Sequence, residues 1–215
     1  MKILFIVLLM FATTGVAEMK LYQKLNTLHT VALITVNSEK GSGTGSGVVV
    51  ASGEGYSLIL TVNHVVKGAK AGDLFVTLYP SEVTVPAYIV KKSSKYDLAL
   101  LKIDVYHEHV ARRISPEVLP PFTDLWKMGA GNGETPFPTH GVIEEFEADT
   151  GLMHISAPII FGDSGGGIFL NSTGELIGVV VGTAVTGYKG HPVVVSFMGL
   201  CYNIYAINDF LSSQD

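Results

Sequence analysis

Along most of this chain apolar residues come in short blocks of about four to eight, each cut by glycine or by small polar residues, the pattern of strands rather than helices. Val31 to Val36 is a β-branched run after a polar lead-in, and Lys40 to Gly47 reads as a Gly/Ser/Thr turn. Val48 to Ala51 and Ser57 to Val62 follow, separated by Ser52-Gly53-Glu54-Gly55. Further runs fall at Asp73 to Tyr79, Val83 to Val90 and Leu98 to Ile103. Val105 to Pro121 is charged and proline-containing and reads as a surface connection. After Gly129 to Gly133 come Gly141 to Phe146, Leu152 to Ser156, Gly167 to Leu170, Leu176 to Gly182, Pro192 to Phe197 and Leu200 to Ile207. Ala206 to Leu211 has the spacing of a short terminal helix. A dozen short strands with almost no helix predict an all-β barrel or sandwich. Two barrels would fit, joined somewhere in 105–128.

The first residues break this pattern. Met1 and Lys2 start with a positive charge, Ile3 to Ala12 are uninterruptedly apolar, and Thr13 to Ala17 are mostly small or polar. That order is the one found in secretory signal peptides. Gly15 and Ala17 are small enough for the −3 and −1 sites, so cleavage would expose Glu18. Ten apolar residues fall well short of the roughly 20 that span a bilayer as a helix. The expectation is a signal peptide over 1–17 and an exported mature domain over 18–215, periplasmic or secreted, with no membrane association after cleavage.

Composition narrows the function. Fourteen Lys and Arg against nineteen Asp and Glu give a net charge of −5, which argues against a nucleic-acid partner. A single cysteine cannot form an internal disulfide or a multi-cysteine metal site.

Gly162-Asp163-Ser164-Gly165-Gly166 is the sharpest local feature. A serine between glycines can sit on a tight turn with its hydroxyl exposed, and the N–H groups of Gly162 and Ser164 could then converge on one oxyanion. Alone, such a segment is often only a turn. A nucleophilic serine needs a base, and the base an orienting acid. His64 closes the run Leu60 to Val62, and Asp97 immediately precedes Leu98 to Leu101, where partial burial favours a hydrogen-bonding partner. A capping histidine and a strand-start aspartate are the plainer readings, but the order His64, Asp97, Ser164 at three strand edges is harder to dismiss.

These segments resemble chymotrypsin-fold (trypsin-like) serine proteases, and among them the disulfide-free bacterial HtrA/DegP-like protease domains. The matching pieces are Gly43 to Val50, Leu60 to Val66, Tyr96 to Ile103, Thr139 to Ile143, Gly162 to Gly167, Gly174 to Val179 and Tyr205 to Ile207, so the likeness runs from about 30 to 211. The resemblance implies two six-stranded antiparallel β-barrels, about 18–115 and 116–215, with the site in the cleft between them. It casts Ser164 as nucleophile, His64 as base and then acid, Asp97 as orienting carboxylate, and Gly162 with Ser164 as oxyanion hole. No cofactor or metal is implied; the partner is a polypeptide substrate, and the oligomeric state is left open.

There are departures. HtrA-type proteases usually carry a PDZ domain, which is not expected before the last residue, Asp215. They commonly have Asn before the nucleophile, whereas Asp163 stands here as in trypsin, where that aspartate receives a new N-terminal ammonium. Glu18-Met19-Lys20 is a poor such terminus, so Asp163 is expected to pair with a lysine or arginine or to be solvated. By the trypsin-like offset the base of the pocket for the residue before the cut (P1) maps to Pro158, flanked by no acid, which points to an apolar P1 preference. Val181 lies in the strand expected to pair with substrate, and Gly182 and Gly199 would form pocket walls. His107-Glu108-His109 has no third ligand nearby, Cys201 reads as a buried free thiol, and Trp126, Tyr202 and Tyr205 read as core. The expected function is an exported serine endopeptidase; the alternatives are a catalytically silent peptide-binding protein on the same fold, and an esterase.

Overall fold

The structure, a computed structural model, describes residues 20–38, 41–188 and 191–213. The expected signal peptide lies outside them. Among the described residues no helix is long and apolar enough to cross a membrane.

A short helix α1 (Leu21–Leu28) precedes the first barrel, formed by β1 (Val31–Ser38), β2 (Gly41–Gly53), β3 (Tyr56–Val62), β4 (Leu74–Leu78), β5 (Val83–Lys92) and β6 (Leu98–Ile103). The second barrel follows with β7 (Asp124–Gly129), β8 (Phe137–Glu147), β9 (Leu152–Ile155), β10 (Gly167–Leu170), β11 (Leu176–Tyr188) and β12 (His191–Asn203), and α2 (Ile204–Ser212) closes the chain. Each barrel is closed and six-stranded, in the orders β1-β2-β3-β6-β5-β4 and β10-β11-β12-β9-β8-β7, with every neighbour pair antiparallel. The connection between β6 and β7 runs over residues 104–123.

Period-two alternation on β3 and β6 explains why these strands are apolar on both faces. Ile59, Ala99, Leu101 and Ile103 fill the first barrel, whereas Leu60, Val62, Leu98 and Leu100 join Ile143, Ile155, Ile168 and Val180 in a core shared with the second. The two barrels thereby share one apolar seam.

Several local expectations are corrected. Gly41 to Gly47 is strand, not turn: Gly45 and Gly47 lie where Val65 and Ile59 leave no room for a Cβ. Pro192 to Phe197 and Leu200 to Asn203 belong to one strand, β12, which bulges where the partner of Thr183 is Gly199 and that of Ala184 is Val195. The helix begins at Ile204 because Asn203 caps it: its Oδ1 accepts from the N–H of Tyr205 at 3.0 Å while its Nδ2 donates to the Glu147 and Leu152 carbonyls. Both α1 and β7 went unpredicted. Trp126 is only partly buried, with its Nε1 donating to Asn171 Oδ1 at 2.6 Å. Cys201 is fully buried and free, and burial pushes its thiol pKa up, so it is no nucleophile.

Candidate active site

His64 lies two residues beyond β3, in a run of tight turns. Asp97 sits just before β6, and because β3 and β6 are paired from Val62↔Leu98 onward, the register brings the two residues together at the barrel rim. Asp97 Oδ2 is 2.5 Å from His64 Nδ1, and Oδ1 accepts the His64 backbone N–H at 2.9 Å. An ionised carboxylate only accepts, so Nδ1 carries the proton and Nε2 is left with its lone pair. The second barrel helps hold the acid: the Tyr202 hydroxyl, on β12, accepts the Asp97 N–H at 2.9 Å.

Ser164 stands in the turn between β9 and β10. That turn crosses to the first barrel through backbone contacts only glycine permits. Gly165 has φ +87°, and a Cβ there would fall on the Ser46 carbonyl and the Thr61 hydroxyl. Ser46 N–H donates to the Ser164 carbonyl at 2.8 Å, and Thr61, one residue before the end of β3, donates its hydroxyl to the Ser46 carbonyl at 2.7 Å. The serine turn therefore packs against the strand that leads to His64. Ser164 Oγ donates to the Val181 carbonyl at 3.1 Å, and among the described residues no hydrogen bond joins it to the imidazole.

Gly162 has φ +93°, a conformation that costs an L-residue dearly, and its Cβ position is closed off by the Ala130 carbonyl and Asn132 N–H. Its carbonyl accepts from Ser46 Oγ at 2.6 Å. Among the described residues the N–H groups of Gly162 and Ser164 donate to no protein acceptor, which leaves both available to a ligand.

Asp163, between them, is fully buried. Its Oδ2 accepts from Lys127 Nζ at 2.7 Å and from the Ile160 N–H at 2.9 Å. Of the two fates expected for Asp163, pairing with a lysine is the observed one. Pro158 is exposed; Ile159 beside it is buried and faces Gly199, whose Cβ position Ile155 and Ile159 close off. Gly182 has open space where a Cβ would stand.

Elsewhere, His107 is buried and bonded to the His29 carbonyl rather than turned toward a shared ligand position with His109. Glu145, Glu147 and His154 bring three ligand atoms within 4.8 Å on the β8–β9 hairpin and could gather a cation at the surface. Sequence reasoning missed Ser46, Lys127 and Tyr202. A lone cation inside the apolar stretch Leu125 to Met128 was the available signal for Lys127.

A family model for the trypsin-like peptidase domain matches residues 45–179. The serine protease Do-like HtrA of Lactobacillus helveticus is 32% identical over 146 residues, covering 63% of this chain and 34% of that protein. The chain thus spans about a third of that curated relative's length. Among solved structures, a variant of the HtrA-type protease AlgW with tripeptide superposes with a TM-score of 0.73 at 24% identity, covering 89% of this chain and 62% of that one. The active form of the Rv3671c protease from M. tuberculosis gives 0.72 at 19% identity, with 96% and 93% covered. At these identities the structural likeness establishes the two-barrel, chymotrypsin-like fold.

Proposed function

This chain belongs to the trypsin-like peptidase family, and on that premise we propose that it is an exported serine endopeptidase acting through an acyl-enzyme. The observation that carries the reading is the His64–Asp97 hydrogen bond at the rim where the Ser164 turn meets β3. Ser164 Oγ leaves the Val181 carbonyl, attacks the scissile carbonyl carbon and passes its proton to His64 Nε2. Asp97 holds the ring in the tautomer that can take it and stabilises the imidazolium. The N–H groups of Gly162 and Ser164 receive the developing oxyanion. The imidazolium then protonates the leaving amine, and water, activated by the same ring, releases the acyl group. Val181 and Gly182 on β11 give an extended peptide an edge to pair with, and Ile155 and Ile159 near Pro158 favour an apolar P1 side chain over a charged one. Export rests on the signal-like residues 1–17.

A second reading, a peptide-binding protein without turnover, is favoured by one observation: Ser164 Oγ donates to Val181 and not to the imidazole. A fluorophosphonate probe separates the two. Labelling of wild type across pH 6–9, absent in Ser164→Ala, is expected for the peptidase. An unlabelled wild type that still binds peptide would establish the silent binder. Paired peptide and ester substrates would expose an enzyme restricted to esters.

A further inference from the structure

The carboxylate that orients His64 belongs to the first barrel, yet the residue just before it in the chain is seated in the second. Tyr96 lies in the connection 93–97 between β5 and β6, and its ring packs against the core that the two barrels share. It meets the Tyr202 ring of β12 edge-on, with centroids 5.4 Å apart, and its hydroxyl donates to Asp209 Oδ2 on α2 at 2.8 Å. A third wall is Gly151, in the β8–β9 turn at φ +78°: a Cβ there would stand 3.4 Å from Tyr96 Cε1 and 2.7 Å from Ala206 Cβ. β12, the β8–β9 turn and α2 thus form a socket for a side chain carried by the first barrel.

The socket is braced on both sides. Asn203 caps α2 and donates to the Glu147 and Leu152 carbonyls that flank the β8–β9 turn. Lys91, on β5, donates to the Phe210 carbonyl at 2.6 Å and to the Ser213 carbonyl and hydroxyl, so an ammonium of the first barrel holds the carbonyl end of α2. Lys95 also reaches Asp209 Oδ2, at 2.9 Å, but both side chains are more than half exposed, where such a pair is worth little. Hydrogen bonds from Lys95 and Tyr96 lower the Asp209 pKa, so the acceptor stays ionised. What the socket fixes is a peptide plane. The Asp97 N–H, in the peptide that joins Tyr96 to Asp97, donates to the Tyr202 hydroxyl at 2.9 Å, while β6 holds Asp97 from its other side. The direction of the Asp97 carboxylate toward His64 Nδ1 follows from that plane.

We propose that Tyr96 is a positioning residue: pegged into the second barrel beside Tyr202, it sets the Asp97 carboxylate that orients His64, so the acid of one barrel is aimed by the other. The proposal deepens the peptidase reading and rests on it. Three variants test it, each compared with wild type for kcat, KM, thermal unfolding and the NMR signal of the His64 Nδ1 proton. Tyr96→Ala empties the socket and should lose about 100-fold in kcat, the scale of a misplacement of about 1 Å, with KM changed by less than about threefold. Tyr202→Phe keeps the ring contact and removes only the acceptor of the Asp97 N–H; it should lose about 10-fold in kcat, the scale of one hydrogen bond. In both the Nδ1 proton signal should shift or vanish. Leu78→Ala, in the first barrel's own core, should cost stability while kcat stays within about twofold and the Nδ1 proton is unmoved. Wild-type kcat and an unmoved Nδ1 proton in Tyr202→Phe would overturn the proposal even if Tyr96→Ala fails to fold. So would a Leu78→Ala protein that loses as much activity as Tyr96→Ala. A wild type that neither turns over peptide nor labels at Ser164 would instead overturn the peptidase reading, and the Nδ1 proton would then decide the role of Tyr96 by itself.

Discussion

The side chains of His64 and Asp97, contributed by the first barrel, are 45% and 31% exposed, whereas Lys127 and Asp163 in the second are at most 1% exposed. The first pair sits at the rim, held by hydrogen bonds to one carboxylate; the second is sunk in a wall of strands and touches the surface only through the turn it anchors. The contrast follows from what each half is proposed to do. A base must accept and return a proton, so its charge changes in every cycle and it needs access to substrate and water. Oxyanion donors must not move, because their value lies in pointing at the charge before it forms. A solvated pair suits the first task and a buried one the second.

The largest effect that could break this comparison is at His64. His64→Ala should lower kcat by about 10⁵–10⁶ while shifting the melting temperature by no more than about 2 °C, since an exposed side chain carries little of the fold. Activity assays with thermal melts check both, and a large loss of stability would mean that the rim pair is structural. Next is Gly162→Ala, which places a Cβ 2.7 Å from the Ala130 carbonyl at φ +93°. It should cost about 10²–10³ in kcat with the His64–Asp97 pair untouched, as the NMR signal of the imidazole Nδ1 proton would report.

Third, Leu60→Ala empties a position on the seam that both barrels share. About 2–5 kcal/mol of stability should be lost in a single unfolding transition, measured by denaturant titration. Two separated transitions would show that the barrels unfold independently. The smallest effect concerns His29 and His107. Burial, chiefly, holds both pKa values below the ordinary 6.5; His109 nearby adds to the lowering, while Glu108 opposes it. The unfolded chain therefore binds protons first. Their contribution is whole above pH 6.5 and is lost as the pH falls below it. Melting temperatures from pH 7.5 to 5.5 should fall, and less steeply in His107→Gln.

Much of this architecture was legible in the chain. A short apolar block falls on every strand except β7, because a strand buried on one face or both must be apolar over that length, although β2 and β11 run several residues beyond their blocks and two blocks merge into β12. Glycine misled where it was abundant. Gly43 to Gly47 reads as a turn, yet it is strand, since there glycine serves a neighbour's volume and not its own torsion angles. Asp124 to Gly129 escaped notice because Asp124 and Lys127 interrupt its apolar pattern. The candidate site divides in the same way. His64, Asp97 and Ser164 could be picked out because each sits beside a strong strand edge, whereas Ser46, Tyr202 and Lys127 act from far along the chain.

What the sequence by itself determined was the inventory: a β protein, a serine between glycines, a histidine and an aspartate at strand ends, and an aspartate beside the serine that could be paired or solvated. Only the tertiary structure chose the cation, Lys127, 36 residues away. Only it turned Gly129 and Gly131 into a cradle for Asp163 and fused two barrels along one seam. The reason is physical: local patterns register what a residue does to its own backbone and its own strand, while the partner of a buried charge and the occupant of a missing side chain are decided by whatever the closed barrels bring alongside.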